Sequence, residues 1–173
     1  MPRAFAAGDE ELVEAEHLIR DRMEKLDLDL LSLAAVSNVF RAATAVRNHM
    51  ERRVLHRHQL SWSAFVVLFV VRIWGSQESH SLAIEAGISG GTLTGVLNTL
   101  ERKGLAERRA VPGDRRRVEV ALTAAGTQVV DEVMPAFNRE EALVTGDLSD
   151  EEIATLARLL RKVLQTTEDL DNR

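Results

Sequence analysis

The hydrophobic pattern of the sequence changes period at Gly104, and this change constrains the fold more than any other feature. Before that residue, apolar side chains recur at the three- and four-residue intervals of helices. After it, residues 105–111 and 117–122 alternate apolar and polar side chains around a Pro-Gly-Asp turn at 112–114. The sequence therefore predicts a mainly α fold of the α+β class, with helices on both sides of one β-hairpin.

The predicted helices follow from apolar spacing and from residues that start and stop helices. Their ranges are about 9–25, 30–57, 62–74, 81–86, 89–103, 124–144 and 149–169. Ser61 and Thr123 can cap the helices that follow them, and residues 149–152 form a capping box. Pro135 is predicted to interrupt and kink its helix. The first half of the 30–57 helix is apolar nearly all round, so we expect it to be buried on several sides.

Residues 82–96 fit the pattern of a helix-turn-helix. Two helices that cross over a tight turn need a small residue at the crossing and a glycine with positive φ in the turn. Ala83 and Gly87 meet these two requirements. The apolar positions of the pattern are filled by Leu82, Ala86, Ile88, Leu93 and Val96. Because a hairpin follows directly, residues 61–122 are predicted to form a winged helix-turn-helix lobe with a two-stranded wing.

The charge of the chain is unevenly distributed. The net charge is −5, yet residues 101–119 hold seven Lys and Arg against four Asp and Glu. Acidic ends around a basic centre suit a protein that meets phosphate with one face only. An Arg at the hairpin tip also suits the negative potential of a narrow minor groove, and a neighbouring Asp can orient it. Two alternatives remain: an ordinary solvated face, or a helical interaction module whose basic hairpin binds an acidic protein.

Several classes of function lack support in the sequence. The chain has no Cys, which excludes disulfides, thiolate catalysis and cysteine-based redox sensing, and favours the cytoplasm. No signal peptide is recognised at the start, and the most apolar window, residues 65–71, is too short to cross a bilayer. Nucleophile-elbow, phosphate-loop and zinc-finger spacings are missing. We therefore expect neither an enzyme nor a cofactor, and no membrane partner.

Two groups of side chains allow more than one interpretation. The aromatic residues of the 62–74 helix are expected in the core, although one edge could line a ligand cavity; they are Trp62, Phe65, Phe69 and Trp74. Three histidines of the basic segment that precedes this helix could be considered as metal ligands; they are His49, His56 and His58. Spacings of seven and two do not bring these three to one helical face, so solvated or phosphate-facing histidines are favoured.

Four segments resemble the MarR (multiple antibiotic resistance regulator) family of winged helix-turn-helix transcription regulators. They are residues 88–105 (ISGGTLTGVLNTLERKGL), 107–109 (ERR), 114–116 (DRR) and 122–126 (LTAAG). The flanking helices match the family in order and length, so the resemblance covers nearly all of residues 1–173 as one domain. It implies a homodimer held together by helices within 9–58 and 124–170. It also implies binding to double-stranded DNA at a pseudo-palindromic operator, as a repressor that a small-molecule effector releases.

The resemblance also implies a set of DNA-binding residues. Arg116 would enter the minor groove and Asp114 would orient it. The full set is Ser89, Gly90, Thr92, Thr94, Gly95, Asn98, Arg102, Asp114, Arg115, Arg116 and Arg117. For the effector, it implies a pocket for a small, often aromatic and anionic molecule where the dimer helices meet the lobe. The candidates for that pocket are His49, Arg52 and Arg53.

The chain departs from the family at Gly95, where members often carry Arg. A bidentate contact between Arg and guanine is therefore not available from the centre of the helix. We expect base reading to depend on Thr94 and Asn98, on close backbone approach at Gly90, Gly91 and Gly95, and on DNA shape. The family's thiol-oxidation branch is excluded because the chain has no Cys. Its urate-responsive branch is not expected, because Met23, Val66 and Gly95 stand where that branch has Trp, Asp and Arg.

Overall fold

The computed structural model describes residues 18–19, 21–23, 25–111 and 114–171, with side chains of the hairpin given up to residue 110 and from residue 118. The mainly α fold with a hairpin is confirmed. The helices are α1 (Leu30–Arg53), a short 3₁₀ helix (Leu55–His58), α2 (Trp62–Trp74), α3 (Ser79–Glu85), α4 (Gly90–Arg102), α5 (Ala124–Val144) and α6 (Asp150–Asp171). The strands are β1 (Gln77–Glu78), β2 (Ala106–Val111) and β3 (Asp114–Leu122). Residues 18–19 and 21–23 are helical and Lys25 lies in a turn, whereas residues 9–17, 20 and 24 of the predicted helix lie outside the described residues.

The predicted caps are confirmed by their hydrogen bonds. The Ser61 hydroxyl accepts from the Ala64 amide at 3.2 Å, which starts α2. The Thr123 hydroxyl accepts from the Gly126 amide at 3.0 Å, which starts α5. These bonds satisfy amides that have no partner within the helix, and so they determine where each helix begins.

Two predicted helix features are corrected. The long helix was expected to reach residue 57, but α1 ends at Arg53 and residues 55–58 form a 3₁₀ turn that Gln59 stops with a left-handed φ of 52°. Apolar spacing cannot separate a tighter turn from a continuing α-helix, because both place similar faces inward. The α5 helix runs unbroken through Pro135, because Val133 and Phe137 are buried on either side and one missing donor does not end it.

The wing belongs to a sheet of three antiparallel strands in the order β1-β3-β2. Strands β2 and β3 pair from Ala106 opposite Leu122 to Ala110 opposite Val118. The prediction of a two-stranded wing missed β1, which is two residues long and therefore shows no alternation. It also placed the start of β3 at residue 117, whereas the strand begins at Asp114. The proline and glycine of the predicted turn lie outside the described residues.

The core of the lobe is built around α2, which packs against α3, α4, α5 and β3. The rings of Phe65 and Phe137 stack with centroids 4.6 Å apart, and Trp62 lies 6.0 Å from Phe137. Trp74 was expected in this core but is 67% exposed. Trp74 follows the buried Val70 and Val71 by four and three residues, so helical spacing alone places it on the inward face. It is the last residue of α2, however, and residues 72–74 are all exposed because the core ends before the last turn of the helix.

Contacts divide the chain into two compact units, residues 1–47 and 48–173, with the boundary inside α1. In the first unit, the apolar half of α1 was expected to be buried on several sides. Leu31 and Phe40 are instead 82% and 71% exposed. In the second unit, α6 also carries exposed Leu and Val side chains along its length. Sequence spacing indicates that a helix has an apolar face that is stable when buried. It does not indicate whether the same chain or another molecule buries that face.

Candidate nucleic-acid interface

Helices α3 and α4 form the predicted helix-turn-helix. Gly87 has a φ of +62° in the turn, and the Ile88 amide donates to the Ala83 carbonyl at 3.0 Å. Leu82, Ala83 and Leu93 are buried where the two helices meet. The small residue and the turn glycine therefore take the places that the pattern predicted. Of the predicted apolar positions, Leu82 and Leu93 are buried, and the others are half-buried; they are Ala86, Ile88 and Val96.

The two faces of α4 differ sharply. Leu93, Leu97 and Leu100 are buried on the inner face. On the opposite side, Gly95, Asn98 and Arg102 are exposed. Spacings of three and four residues place these three along one outward stripe. The structure thus brings three of the predicted DNA-binding residues together on the exposed face of a helix held firmly from behind.

Hydroxyl groups order the first turn of α4. The Ser89 hydroxyl accepts from the Thr92 amide at 3.1 Å and lies 2.9 Å from the Thr92 hydroxyl. Thr94 donates its hydroxyl to the Gly90 carbonyl at 2.9 Å. These predicted site residues are exposed, yet their main contacts are local ones that shape the start of the helix. Any contact with DNA would add to this capping role.

Arg108 is a residue of this surface that the sequence analysis did not single out. Both terminal guanidinium nitrogens of Arg108 donate to the Asn98 side-chain oxygen, each at 3.3 Å, and one also pairs with Glu101. The alternation of side chains along strand β2 could have shown which way Arg108 points. Arg108 lies opposite the fully buried Val120 and two residues after the buried Ala106. Strand alternation therefore directs Arg108 toward the side of the sheet that α4 packs against.

Other basic side chains of residues 101–119 have partners of their own. Arg109 pairs with Glu107 within β2, and Lys103 donates to the Gln59 carbonyl. Arg102 donates to the Asn98 carbonyl at 3.3 Å and to the Thr99 hydroxyl at 3.2 Å while remaining exposed. The predicted wing residues 114–117 lie at the start of β3, and their side chains are outside the described residues.

The segment that joins α4 to the wing is locked to the start of α5. The Leu105 carbonyl accepts from the Thr123 amide at 3.2 Å, and the Thr123 hydroxyl donates to the Gly104 carbonyl at 2.6 Å. A Cβ atom on Gly126 would lie 1.9 Å from the Leu105 oxygen. This close approach explains why the LTAAG segment needs glycine at its last position.

The candidate effector residues lie where α1 faces α5. The Nε2 atom of His49 is 2.6 Å from one carboxylate oxygen of Glu140, and the Nε atom of Arg53 is 3.7 Å from the other. Arg52 is exposed. A cavity of about 350 Å³ lies elsewhere, between α3 and α4. The structure thus brings two of the three candidates together on a carboxylate that the sequence analysis did not consider.

Within the part of the chain that the structure describes, no three His, Asp or Glu side chains come together as a possible metal site. Among the described helices, none is both long enough and apolar enough to span a bilayer.

Comparison with known proteins agrees with this geometry. Residues 60–118 match the MarR family. YwaE of Bacillus subtilis, an HTH-type transcriptional regulator, is 34% identical over 157 residues, which cover 89% of this chain and 92% of YwaE. A mutant MarR from E. coli complexed with operator DNA has a TM-score of 0.72 at 26% identity, over 80% of this chain and 99% of that one.

A third similar protein is BpsR, a DNA-binding protein that is regulated by a small molecule. The structure of BpsR from Bordetella bronchiseptica, whose DNA binding is regulated by 6-hydroxynicotinic acid, has a TM-score of 0.69 at 26% identity. It covers 75% of this chain and 97% of BpsR. Fold and site together define a winged helix-turn-helix DNA-binding regulator of transcription. The chain belongs to the MarR family.

Proposed function

We propose that the protein is a ligand-responsive repressor that binds a pseudo-palindromic operator as a homodimer, with one lobe on each half-site. The observation that carries this proposal is the outward polar stripe of α4, which is held firmly from behind and joined directly to the wing. Half-sites about one helical turn (~10 bp) apart would place two such helices in successive major grooves. Occupation of the operator would then block transcription sterically.

The proposed division of the chain follows the same logic. Residues 61–122 form the DNA-binding lobe, and helices within 9–58 and 124–170 form the dimer interface. The apolar stripe of α6 supports this division, since its side chains are 37–62% exposed in the single chain; they are Leu156, Leu159, Leu160, Val163 and Leu164. A second copy of the chain would cover this stripe and the exposed apolar face of α1.

The proposed DNA contacts divide into two kinds. Thr94, Gly95 and Asn98 face base edges, with Gly90 close to the backbone, while Ser89, Thr92 and Arg102 contact phosphates. Residues 114–117 form the wing contact, in which Arg116 enters the minor groove beside Asp114. The operator-bound structure of the E. coli relative supports this arrangement by its similarity in fold.

The effector is proposed to be a small anionic aromatic molecule. BpsR, which responds to 6-hydroxynicotinic acid, supports this class of ligand. His49 and Arg53 already share Glu140, so an anion that bound there would replace this carboxylate as their partner, with Arg52 beside them. Such a ligand releases DNA if it favours a spacing of the two lobes that the operator does not fit. The protein would work by binding DNA and effector alone, without catalysis, in the cytoplasm.

A binding experiment tests this proposal. Affinity is measured by fluorescence anisotropy on the promoter of the protein's own gene and on a scrambled duplex, across a salt series. We expect Asn98→Ala to weaken binding to the promoter more than to the scrambled duplex. We expect Arg116→Ala to weaken binding to both and to reduce the salt slope by about one. Absent or salt-insensitive binding would instead support the alternative, an interaction module whose basic hairpin binds an acidic protein.

A further inference from the structure

Asn98 lies on the outward face of α4 that is proposed to contact base edges, but the oxygen of its side-chain amide already accepts hydrogen bonds from Arg108. A free Asn can make two hydrogen bonds with adenine, accepting from N6 through its oxygen and donating to N7 through its nitrogen. In this chain, both terminal nitrogens of Arg108 donate to that oxygen at 3.3 Å. Only the NH₂ group of Asn98, which is a donor, is then left for a base.

The position of Arg108 is itself fixed. The backbone of β2 holds Arg108 opposite Val120, and the Glu101 carboxylate pairs with its guanidinium from the next turn of α4. The side chains of Arg108 and Glu101 are each 31% exposed, so the pair is partly covered. The Glu101 charge also balances that of Arg108, which makes Arg108 a poor candidate for a phosphate contact.

The geometry points to Arg108 as a positioning residue that determines base specificity. By occupying the Asn98 oxygen, it turns an adenine-reading side chain into a pure donor. Guanine offers two acceptors, O6 and N7, at the major-groove edge, whereas adenine offers one acceptor and one donor. The base facing Asn98 is therefore guanine in preference to adenine. This inference rests on the proposed entry of α4 into the major groove.

The structure offers a closely matched pair of variants for a test. Arg108→Met with Glu101→Gln removes the guanidinium and its counter-charge together, so net charge is unchanged. Arg109→Met with Glu107→Gln makes the same chemical change at the neighbouring ion pair. Arg109 is one residue along β2 and therefore on the other face of the strand. Only the first pair contacts Asn98.

The experiment is selection of bound sites from a random duplex pool, with each variant checked for folding by circular dichroism. The wild type is expected to prefer guanine at one position in each half-site, and Asn98→Ala to lose that preference. The Arg108→Met, Glu101→Gln variant should raise the ratio of adenine to guanine there about tenfold. The variant at Arg109 and Glu107 should keep the wild-type preference. Arg108→Lys, which keeps the charge and a donor, should lie between them.

The outcomes separate this inference from the proposed function. If the wild type enriches no sequence, the proposed function fails and the inference fails with it. If the wild type selects a site that the Arg108→Met, Glu101→Gln variant selects unchanged, only the inference is wrong. It is also wrong if the change to adenine persists when Asn98→Ala is added, because Arg108 would then act without Asn98.

Discussion

Helices α4 and α6 both carry a clear apolar stripe, but only one of these stripes is covered by the chain itself. On α4, Leu93, Leu97 and Leu100 are buried in the core of the lobe. On α6, every residue is at least partly exposed, and the stripe that includes Leu160 and Val163 faces outward. The difference shows that the DNA-binding lobe has its own core, whereas α6 carries an apolar surface suited to a second molecule.

This contrast has a thermodynamic consequence. Apolar surface that is buried within one chain stabilises the fold at any protein concentration. Apolar surface that is buried between chains contributes only when the partner is bound, so its contribution depends on concentration. Substitutions in α4 should therefore change the free energy of unfolding, whereas substitutions in the stripe of α6 should change the oligomeric state.

The largest loss of stability is expected at the contact between Gly126 and the Leu105 carbonyl, which joins the end of α4 to the start of α5. Gly126→Ala would place a Cβ atom 1.9 Å from the Leu105 oxygen. That carbonyl also accepts from the Thr123 amide and cannot move freely. We expect a loss of about 3 kcal/mol or more in the free energy of unfolding, measured by urea denaturation. Gly90→Ala is the control, because an added Cβ there meets no described atom within 4 Å apart from the neighbouring backbone of its own segment. Equal stability of the two variants would contradict the claim that the Leu105 carbonyl is fixed against Gly126.

One leucine from each helix, Leu97 of α4 and Leu160 of α6, should respond differently to substitution. Leu97→Ala opens a cavity in the lobe and should cost about 2–5 kcal/mol while the protein stays dimeric. Leu160→Asp should instead give a monomer at micromolar concentration, measured by sedimentation, with the near-ultraviolet circular dichroism of the lobe retained. Gln165→Asp adds the same charge on the opposite side of α6 and should remain dimeric. A dimeric Leu160→Asp variant would mean that the α6 stripe is not the interface.

Gly95 lies on the outward side of α4. Gly95→Ala adds a methyl group that meets no described atom within 4 Å apart from the neighbouring backbone of its own helix. Alanine favours the helix by about 1 kcal/mol over glycine, so the midpoint of thermal unfolding should rise. DNA affinity should nevertheless fall, by about tenfold, if the helix backbone approaches the bases closely at this point. A higher unfolding midpoint with unchanged DNA affinity would show that Gly95 is not a point of close approach.

The contrast between α4 and α6 also shows how far sequence analysis reaches. Gly87, Ser61 and Thr123 act through neighbours a few residues away, and each was predicted correctly. The Gly126 contact was present only as part of a resemblance, since its physical reason is a carbonyl 21 residues earlier. Arg108 was missed as a partner of Asn98 because their contact joins a strand to a helix ten residues away. Trp74 was misplaced because helical spacing shows which face a side chain shares, but does not show that the core ends before the last turn of α2.

The exposed apolar side chains of α1 and α6 show most clearly what a single sequence does not predict. The apolar spacing of α6 indicates a face that the single chain leaves exposed, and Leu31 and Phe40 on α1, which were expected to be buried, are exposed as well. Burial depends on which surface lies against that face, and a single sequence contains no direct record of a second chain. Local chemistry is therefore readable from the sequence, whereas contacts between distant segments or between molecules require coordinates.

The smallest expected effect lies at the start of α6, where the helix depends on its own sequence. The Glu152 carboxylate accepts from the Ser149 amide and from the Ser149 hydroxyl, both at 2.8 Å. The backbone bond first, and the hydroxyl bond second, lower the pKa of Glu152 below its ordinary value of 4.5. Because the folded pKa is the lower one, this contribution to stability is complete above pH 4.5 and is lost as the pH falls through the folded pKa.

This cap can be separated from the other carboxylates of the chain. Asp29 before α1 also has a lowered pKa, through the hydroxyl and then the amide of Ser32, so the wild type should lose helix content on acidification for more than one reason. Glu152→Gln keeps an acceptor for the capping box but cannot titrate. In a circular dichroism titration from neutral pH to pH 3, the variant should lose less helix than the wild type below pH 4.5, by a small margin because Glu152 is exposed to solvent. Coincident titration curves would mean that the ionised carboxylate adds nothing to a helix whose stability then comes from the surface that covers its apolar stripe.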